Sequence, residues 1–168
     1  IKAILDVWEK KQQGKETGIL SSVDIYDGKE LVPAKMTTPE AMEIHRHIRN
    51  CADENIRYLT MEVSSQALKY DRVKNVEFAA AVFLNIGMDH ISPIEHPDFE
   101  DYKCAKRRLF AEYNARTMVY NADDPYSDFM RDGFRGEQVS FGIKSEADYR
   151  GVMLAQYRSS TCLLYTSP

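Results

Sequence analysis

The chain is poor in cysteine: Cys51, Cys104 and Cys162 lie far apart in its 168 residues, with no C-x-x-C pairing. That spacing argues against a disulfide framework and against structural zinc, and it suits a reducing compartment. Long apolar runs are missing too. No stretch approaches the roughly 20 residues a membrane span needs, and no charged start followed by an apolar core marks a secretory signal. The expectation is a cytoplasmic protein with no membrane insertion. Nor is either sign of charge in excess: 22 Lys+Arg against 26 Asp+Glu leave −4, mixed along the length. Such a balance offers neither a nucleic-acid surface nor a polybasic membrane anchor, so an anionic ligand must be held by local devices. There are no internal repeats and no low-complexity segment, and no G-x-x-G-K-[ST] phosphate loop is present.

What is there is an alternation of helix and strand patterns. An amphipathic helix opens the chain, with Ile1, Ile4, Leu5 and Trp8 on one stripe and no preceding cap, so a segment upstream is expected to start it. Gly14 to Gly18 reads as a turn, Ile19 to Ile25 as a strand, and Asp27-Gly28 as a polar loop. Thr38-Pro39 suits a helix start, since threonine caps and proline fits the first helical position; Ile44, Ile48 and Cys51 keep the helical period. A strand over Tyr58 to Val63 and a helix from about Ser65 follow. The apolar run Phe78 to Ile86 has the look of a strand covered on both faces. Next come a helix from about Asp98, a strand Thr117 to Asn121, a helix Pro125 to Arg131 and a strand Gln138 to Phe141. The pattern implies an α/β fold with a mostly parallel sheet flanked by helices. Cys162 to Ser167 reads like a translated sequencing-adaptor tail that fits no element. The expected domain is therefore 1–158, with 159–168 a non-native tail.

In parallel sheets ligands bind beyond the carboxyl ends of the strands, which gives several residues their interest. Glu62 ends one strand, and Ser64 can cap the next helix or, equally, help hold an anion there. Thr37-Thr38-Pro39 repeats the device at a second helix start, and Arg72 is a forked donor suited to phosphate or carboxylate. Asp89-His90 ends the most apolar strand. Its imidazole either closes a loop or ligates a metal. His45 and His47 are expected to be solvated on a polar helix face, and His96 receives no role. Lys106 falls on the apolar stripe of its helix, four residues after Tyr102 and three before Leu109. Such a lysine either snorkels to water or, desolvated, becomes a neutral amine able to take up carbon dioxide as a carbamate, an oxygen ligand suited to magnesium.

Met61-Glu62-Val63-Ser64-Ser65-Gln66-Ala67-Leu68, Phe83-Leu84-Asn85-Ile86 with Asp89-His90, Tyr102 through Lys106, and Asn121-Ala122-Asp123-Asp124, taken in order, resemble the central domain of the Mur ligases, specifically the MurE branch. The resemblance covers most of residues 1 to 150. It implies a P-loop-type Mur ligase central domain lacking its phosphate loop, with the N-terminal and C-terminal domains absent. It implies an ATP- and magnesium-dependent ligase that joins a third amino acid, meso-diaminopimelate or L-lysine, to UDP-N-acetylmuramoyl-L-alanyl-D-glutamate through an acyl phosphate. By the same resemblance Thr37, Thr38, Ser64 and Arg72 would contact the UDP-muramoyl dipeptide, Glu62 and His90 would serve magnesium, and Lys106 would be the carbamylated lysine.

The chain departs from that pattern in places. Tyr70 stands where many relatives have glutamine, the stretch from His90 to Lys106 is slightly longer than the common form, and the phosphate loop is missing, so the 168-residue chain by itself is expected to be inactive. The residues also leave open a sibling Mur ligase, a folylpolyglutamate synthetase, a non-catalytic module binding nucleotide-sugar peptides, and a purely structural domain.

Overall fold

The computed structural model describes residues 1–14, 16–88, 91–113, 115–156 and 161–166, with only the backbone described for Gln13 and from Met153 onward. The chain divides into two units, Ile1–Lys74 and Asn75–Pro168.

In the first unit, α1 (Lys2–Gln13) stops at Gly14, whose φ of 71° lets its N–H return to the Lys10 carbonyl. The expected apolar stripe is not the covered one, since Ile1, Ile4 and Trp8 are exposed while Glu9 is buried. Asp6 explains part of this: its Oδ1 accepts both the N–H and the hydroxyl of Thr17, each at 2.7 Å, tying α1 to the start of the first strand. Burial alone would raise the Asp6 carboxyl. The Lys2 and Thr17 hydrogen bonds outweigh it and hold the group at about 2.

The single strand expected over Ile19 to Ile25 is two, β1 (Gly18–Leu20) and β2 (Asp24–Tyr26), paired antiparallel. Ser21 breaks the run, its hydroxyl accepting the N–H groups of Val23 and Asp24. A further antiparallel strand, β3 (Leu31–Pro33), follows the Asp27-Gly28 turn. Gly28 has a φ of 91°, and a Cβ there would lie 2.8 Å from Glu54 Cβ. Helix α2 (Ala41–Asp53) begins later than expected: Glu40 holds the cap position, and neither Thr38 nor Pro39 is part of the helix. β4 (Leu59–Met61) pairs parallel with β1, and α3 (Ser65–Lys69) is capped by Ser64 as expected. The sheet runs β3-β2-β1-β4.

The second unit carries β5 (Phe78–Phe83), α4 (Phe99–Ala111), β6 (Ala115–Asn121), α5 (Ser127–Arg131), β7 (Glu137–Gly142), β8 (Tyr149–Gln156) and β9 (Thr161–Thr166) in that order. Its sheet runs β5-β6-β7-β8-β9, parallel from β5 to β8 and antiparallel at β8/β9. The α/β expectation holds, with antiparallel strands at one end of each sheet. Most of the stretch Cys162 to Ser167, expected to fit no element, lies in β9, which pairs with β8; Ser167 is outside the described residues. The run Phe78 to Ile86, expected as one strand covered on both faces, is strand only to Phe83; Ala81 and Phe83 are buried on one face, while Ala79 and Ala80, which point to opposite faces near its start, are both exposed. The core gathers Ala81, Phe83, Ile86, Tyr102, Phe110, Met118 and Met130, with Phe83 and Phe110 edge to face at 6.3 Å. Asp98 caps α4, its Oδ1 accepting the Asp101 N–H at 2.8 Å.

Candidate ligand site at the carboxyl end of β4

The Glu62 N–H continues the β1/β4 ladder one step past β4, donating to the Leu20 carbonyl at 2.9 Å. Its side chain then leaves the sheet at the carboxyl edge, exposed, with Oε2 accepting the Ser22 N–H at 2.8 Å. The other oxygen, Oε1, has no protein donor among the described residues. A carboxylate fixed through one oxygen and open at the other suits a hard cation such as magnesium.

Thr38 is fully buried beside it. Its hydroxyl donates to the Glu62 carbonyl at 2.8 Å and accepts the Ser64 N–H at 2.9 Å, with Ser64 Oγ at 3.3 Å. Ser64 Oγ in turn accepts the Ala67 N–H at 3.2 Å and so caps α3. The hydroxyl of Thr38 therefore works inside the protein, bracing both sides of Val63, and does not cap α2. Arg72 reaches the same loop. Its Nη1 donates to the Thr38 carbonyl at 3.4 Å, its Nη2 pairs with Glu40 at 3.1 Å, and its guanidinium lies 6.0 Å from the centre of the Tyr70 ring. With Thr37 half-buried next in the chain, the first unit brings together five of the seven residues singled out: Thr37, Thr38, Glu62, Ser64 and Arg72.

Lys106 belongs to the second unit. It lies half-buried on α4 with Nζ 5.3 Å from the centre of the Tyr102 ring, and desolvation lowers its pKa from the ordinary lysine value. A core-side lysine with a depressed pKa has the chemistry of a carbamate acceptor. Lys103, expected to be solvated off the stripe, instead rests its ammonium 4.2 Å from the Phe129 ring centre while pairing with Glu100. His90 lies outside the described residues.

Two histidines differ from expectation. His47 is buried, not solvated: its Nδ1 meets Asp27 Oδ2 at 2.7 Å. The same carboxylate accepts Asn50 Nδ2 at 2.8 Å and the N–H groups of Lys29 and Glu30 at 3.0 Å each. Burial pushes the Asp27 carboxyl up, but these donors prevail and hold it at about 2. Ligand atoms of Asp27, Glu30 and His47 lie within 4.8 Å of one another, as a metal cluster would. The donors on Asp27 and the Arg46–Glu30 ion pair already satisfy them, so the group acts as a polar brace joining the β2–β3 turn to α2. A helix-face plot misses it because the partner, Asp27, comes from a turn 20 residues earlier. His96, given no role, is also fully buried, with Nδ1 2.6 Å from Asp101 Oδ2 and its ring 5.3 Å from that of Tyr102.

The family described as the Mur ligase middle domain matches residues 1–167. The chain belongs to this family. Among relatives of this Mur ligase middle domain, UDP-N-acetylmuramyl-tripeptide synthetase of Bifidobacterium longum (strain NCC 2705) is 48% identical over 135 residues, 80% of this chain and 25% of that protein. UDP-N-acetylmuramoyl-L-alanyl-D-glutamate--2,6-diaminopimelate ligase of Clostridium perfringens (strain 13 / Type A) is 32% identical over 166 residues, 96% of this chain and 32% of that protein. UDP-N-acetylmuramoyl-L-alanyl-D-glutamate--L-lysine ligase of Streptococcus pyogenes serotype M4 (strain MGAS10750) is 43% identical over 121 residues, 71% and 25%. The chain thus spans between a quarter and a third of these relatives' lengths. A solved structure of a UDP-N-acetylmuramoyl-L-alanyl-D-glutamate--2,6-diaminopimelate ligase shares its fold, with a TM-score of 0.80 at 21% identity over 99% of this chain and 34% of that one. No helix among the described residues is long and apolar enough to cross a membrane.

Proposed function

We propose that this Mur ligase middle domain serves an ATP-dependent amide ligase that adds meso-diaminopimelate or L-lysine to UDP-N-acetylmuramoyl-L-alanyl-D-glutamate in peptidoglycan synthesis, in the cytoplasm. The observation that carries the reading is the braced edge of β4, where Thr38 fixes the backbone on either side of Val63 and the Ser22 N–H holds Glu62 Oε2, while Oε1 has no protein donor among the described residues. Family membership and the names of the relatives supply the reaction class.

In this reading Thr37, Thr38, Ser64 and Arg72 form the wall against the UDP-muramoyl dipeptide. Arg72 is held by Glu40 and the Thr38 carbonyl and offers its remaining N–H groups to an anionic oxygen of the substrate. Thr38 acts from behind, by positioning Glu62 and Ser64. The substrate carboxylate takes the γ-phosphoryl group of ATP, and the incoming amine then displaces phosphate from the acyl phosphate to form the amide. Glu62 and His90 would hold magnesium, which when bound neutralises the charge of the transferring phosphoryl group. Lys106 would complete the set as a carbamate. Its neutral amine nitrogen bonds to the carbon of carbon dioxide, an electron pair of one C=O moves to oxygen, and a nitrogen proton leaves to solvent. Desolvation of Lys106 favours that step because it favours the neutral amine.

The test is titration of UDP-N-acetylmuramoyl-L-alanyl-D-glutamate into the full-length ligase carrying this segment and into its Arg72→Lys variant, with ligation of both amino acids assayed in parallel. Losing the planar fork is expected to weaken binding by about tenfold, of the order of one charge-assisted hydrogen bond. Unchanged affinity in Arg72→Lys and Arg72→Ala, or no ligation of either amino acid by the unsubstituted protein, would overturn the reading.

A further inference from the structure

Among the described residues three that are not glycine have left-handed backbone: Asn55, Asp71 and Asn75, with φ of 56°, 55° and 66°. A side chain disfavours that region, which asparagine and aspartate tolerate better than most residues. Asp71 is the one directly before a residue of the candidate site, Arg72. It lies where α3 ends. Tyr70 holds the cap position, and the chain then reverses: the Asp71 N–H donates to the Leu68 carbonyl at 3.4 Å and the Arg72 N–H to the Ala67 carbonyl at 2.8 Å. Those two bonds make a Schellman motif, in which the left-handed position is usually glycine. The Asp71 carbonyl accepts the Lys74 N–H at 3.0 Å, which ties down the outgoing chain as well.

The turn sets where the Arg72 side chain starts. Ala67 and Leu68, whose carbonyls receive the two N–H groups, are buried, and so is Val73 on the far side. The root of the arginine is therefore held between two core anchors, while its long side chain runs to the segment before α2. There Nη1 donates to the Thr38 carbonyl at 3.4 Å and lies 3.6 Å from Met36 Sδ, and Nη2 pairs with Glu40 at 3.1 Å. Tyr70, one residue before the turn, puts its ring centre 6.0 Å from the guanidinium. An arginine side chain has much rotamer freedom, and fixing its root lowers what is left to lose when a ligand arrives. Left-handed backbone at a residue other than glycine gathers at ligand-binding segments, where it serves such preorganisation.

We propose that Asp71 is a positioning residue for substrate binding: its left-handed backbone closes α3 and presents the Arg72 fork at the Thr38 segment. The inference rests on the proposed role of Arg72 toward the UDP-muramoyl dipeptide. The working feature is the backbone conformation and not the carboxylate. Glycine adopts a φ of 55° without steric cost and asparagine adopts it readily, so either can stand in for aspartate. Alanine is disfavoured there by its Cβ, and valine, branched at that carbon, is disfavoured most.

The experiment uses the full-length ligase carrying this segment, with Asp71→Gly, Asp71→Asn, Asp71→Ala and Asp71→Val beside Arg72→Lys and Arg72→Ala. Two quantities are read: amide hydrogen exchange at Arg72, and Kd for UDP-N-acetylmuramoyl-L-alanyl-D-glutamate by calorimetry. Asp71→Val is expected to lose protection at the Arg72 N–H and to bind about tenfold more weakly, as Arg72→Lys does, because the fork is no longer aimed. Asp71→Ala is expected to lie between Asp71→Val and the unsubstituted protein on both scales, and it carries the test if Asp71→Val does not fold. Asp71→Gly and Asp71→Asn are expected to keep both protection and affinity, a rescue that dependence on the carboxylate would not allow. Binding by Asp71→Gly as weak as that of Asp71→Val would overturn the backbone argument. Protection kept in both Asp71→Ala and Asp71→Val would show that the turn does not depend on this residue, and the proposal would fall. Protection lost in both, with affinity unchanged while Arg72→Lys binds weakly, would overturn the positioning role and leave the proposed function standing. Unchanged affinity in Arg72→Lys and Arg72→Ala would instead overturn the proposed function, an outcome distinguished because Arg72 itself is then without effect.

Discussion

Thr38→Val is the sharpest perturbation of the β4 edge, because it changes one hydroxyl to a methyl group of nearly the same size at a position with no solvent exposure. The hydroxyl lost is the donor to the Glu62 carbonyl at 2.8 Å and the acceptor for the Ser64 N–H at 2.9 Å. Leaving each of those backbone groups without its partner costs about 1–3 kcal/mol. The extra buried methyl returns about 0.8 kcal/mol, so a net loss of roughly 1–5 kcal/mol is expected. Thr38→Ser keeps the hydroxyl and drops a methyl, which costs about 1 kcal/mol. Trp8 is the single tryptophan and lies in α1, so its fluorescence reports the first unit. Urea unfolding at pH 7, followed at Trp8, gives both values from the shift in midpoint at constant slope. A Thr38→Val loss under about 0.5 kcal/mol, smaller than a single net hydrogen bond, or a Thr38→Ser loss as large as that of valine, would refute the brace.

Two further outcomes follow from the titrating groups. Lys106 has its folded-state pKa below the ordinary lysine value, so its protonated form costs the folded state stability, and that cost fades as pH rises toward the unfolded value of 10.5. Lys106→Met should therefore be as stable as the unsubstituted chain, or more so, at pH 7, while abolishing the carbamate carbon signal in 13C NMR with labelled bicarbonate and magnesium; a loss above about 1 kcal/mol, comparable to a net hydrogen bond, or a signal that survives, would count against the assignment. Asp27 has the opposite sign: its folded value of about 2 lies below 3.8, so its contribution is complete above the unfolded value and is lost as pH falls through 2. At about 1.4 kcal/mol per pKa unit this is roughly 2 kcal/mol, so the stability gap between the unsubstituted chain and Asp27→Asn should be smaller at pH 2 than at pH 7, and a gap that does not change with pH would contradict it.

Much of the architecture was legible in local pattern. Ser64 caps α3 where the sequence placed it, and α4 starts from Asp98, where the sequence places a helix start, because a helix start needs only the side chain and the next turn of backbone. The alternation of elements gave the α/β class for the same reason. Boundaries that depend on partners were misread. Ile19 to Ile25 has continuous strand character, but Ser21 folds back on Asp24 and makes a hairpin. Thr38 has a capping side chain, yet its hydroxyl is taken by Glu62 and Ser64, 24 and 26 residues away. The opening helix has an apolar stripe, and the covered face is nonetheless the one that carries Glu9 and Asp6, because Thr17 binds Asp6.

The sequence by itself determined which residues have the chemistry: a carboxylate ending β4, a hydroxyl at each of two turns, a forked cation, and a lysine on an apolar helical stripe. Those are properties of residue type and spacing, and spacing within a helix or strand is fixed by its period. Only the tertiary structure decided that Thr38 supports the site from behind and that His47 is buried on Asp27. Each of those outcomes is set by which distant donor or acceptor a buried polar group meets, and a buried polar group must meet one.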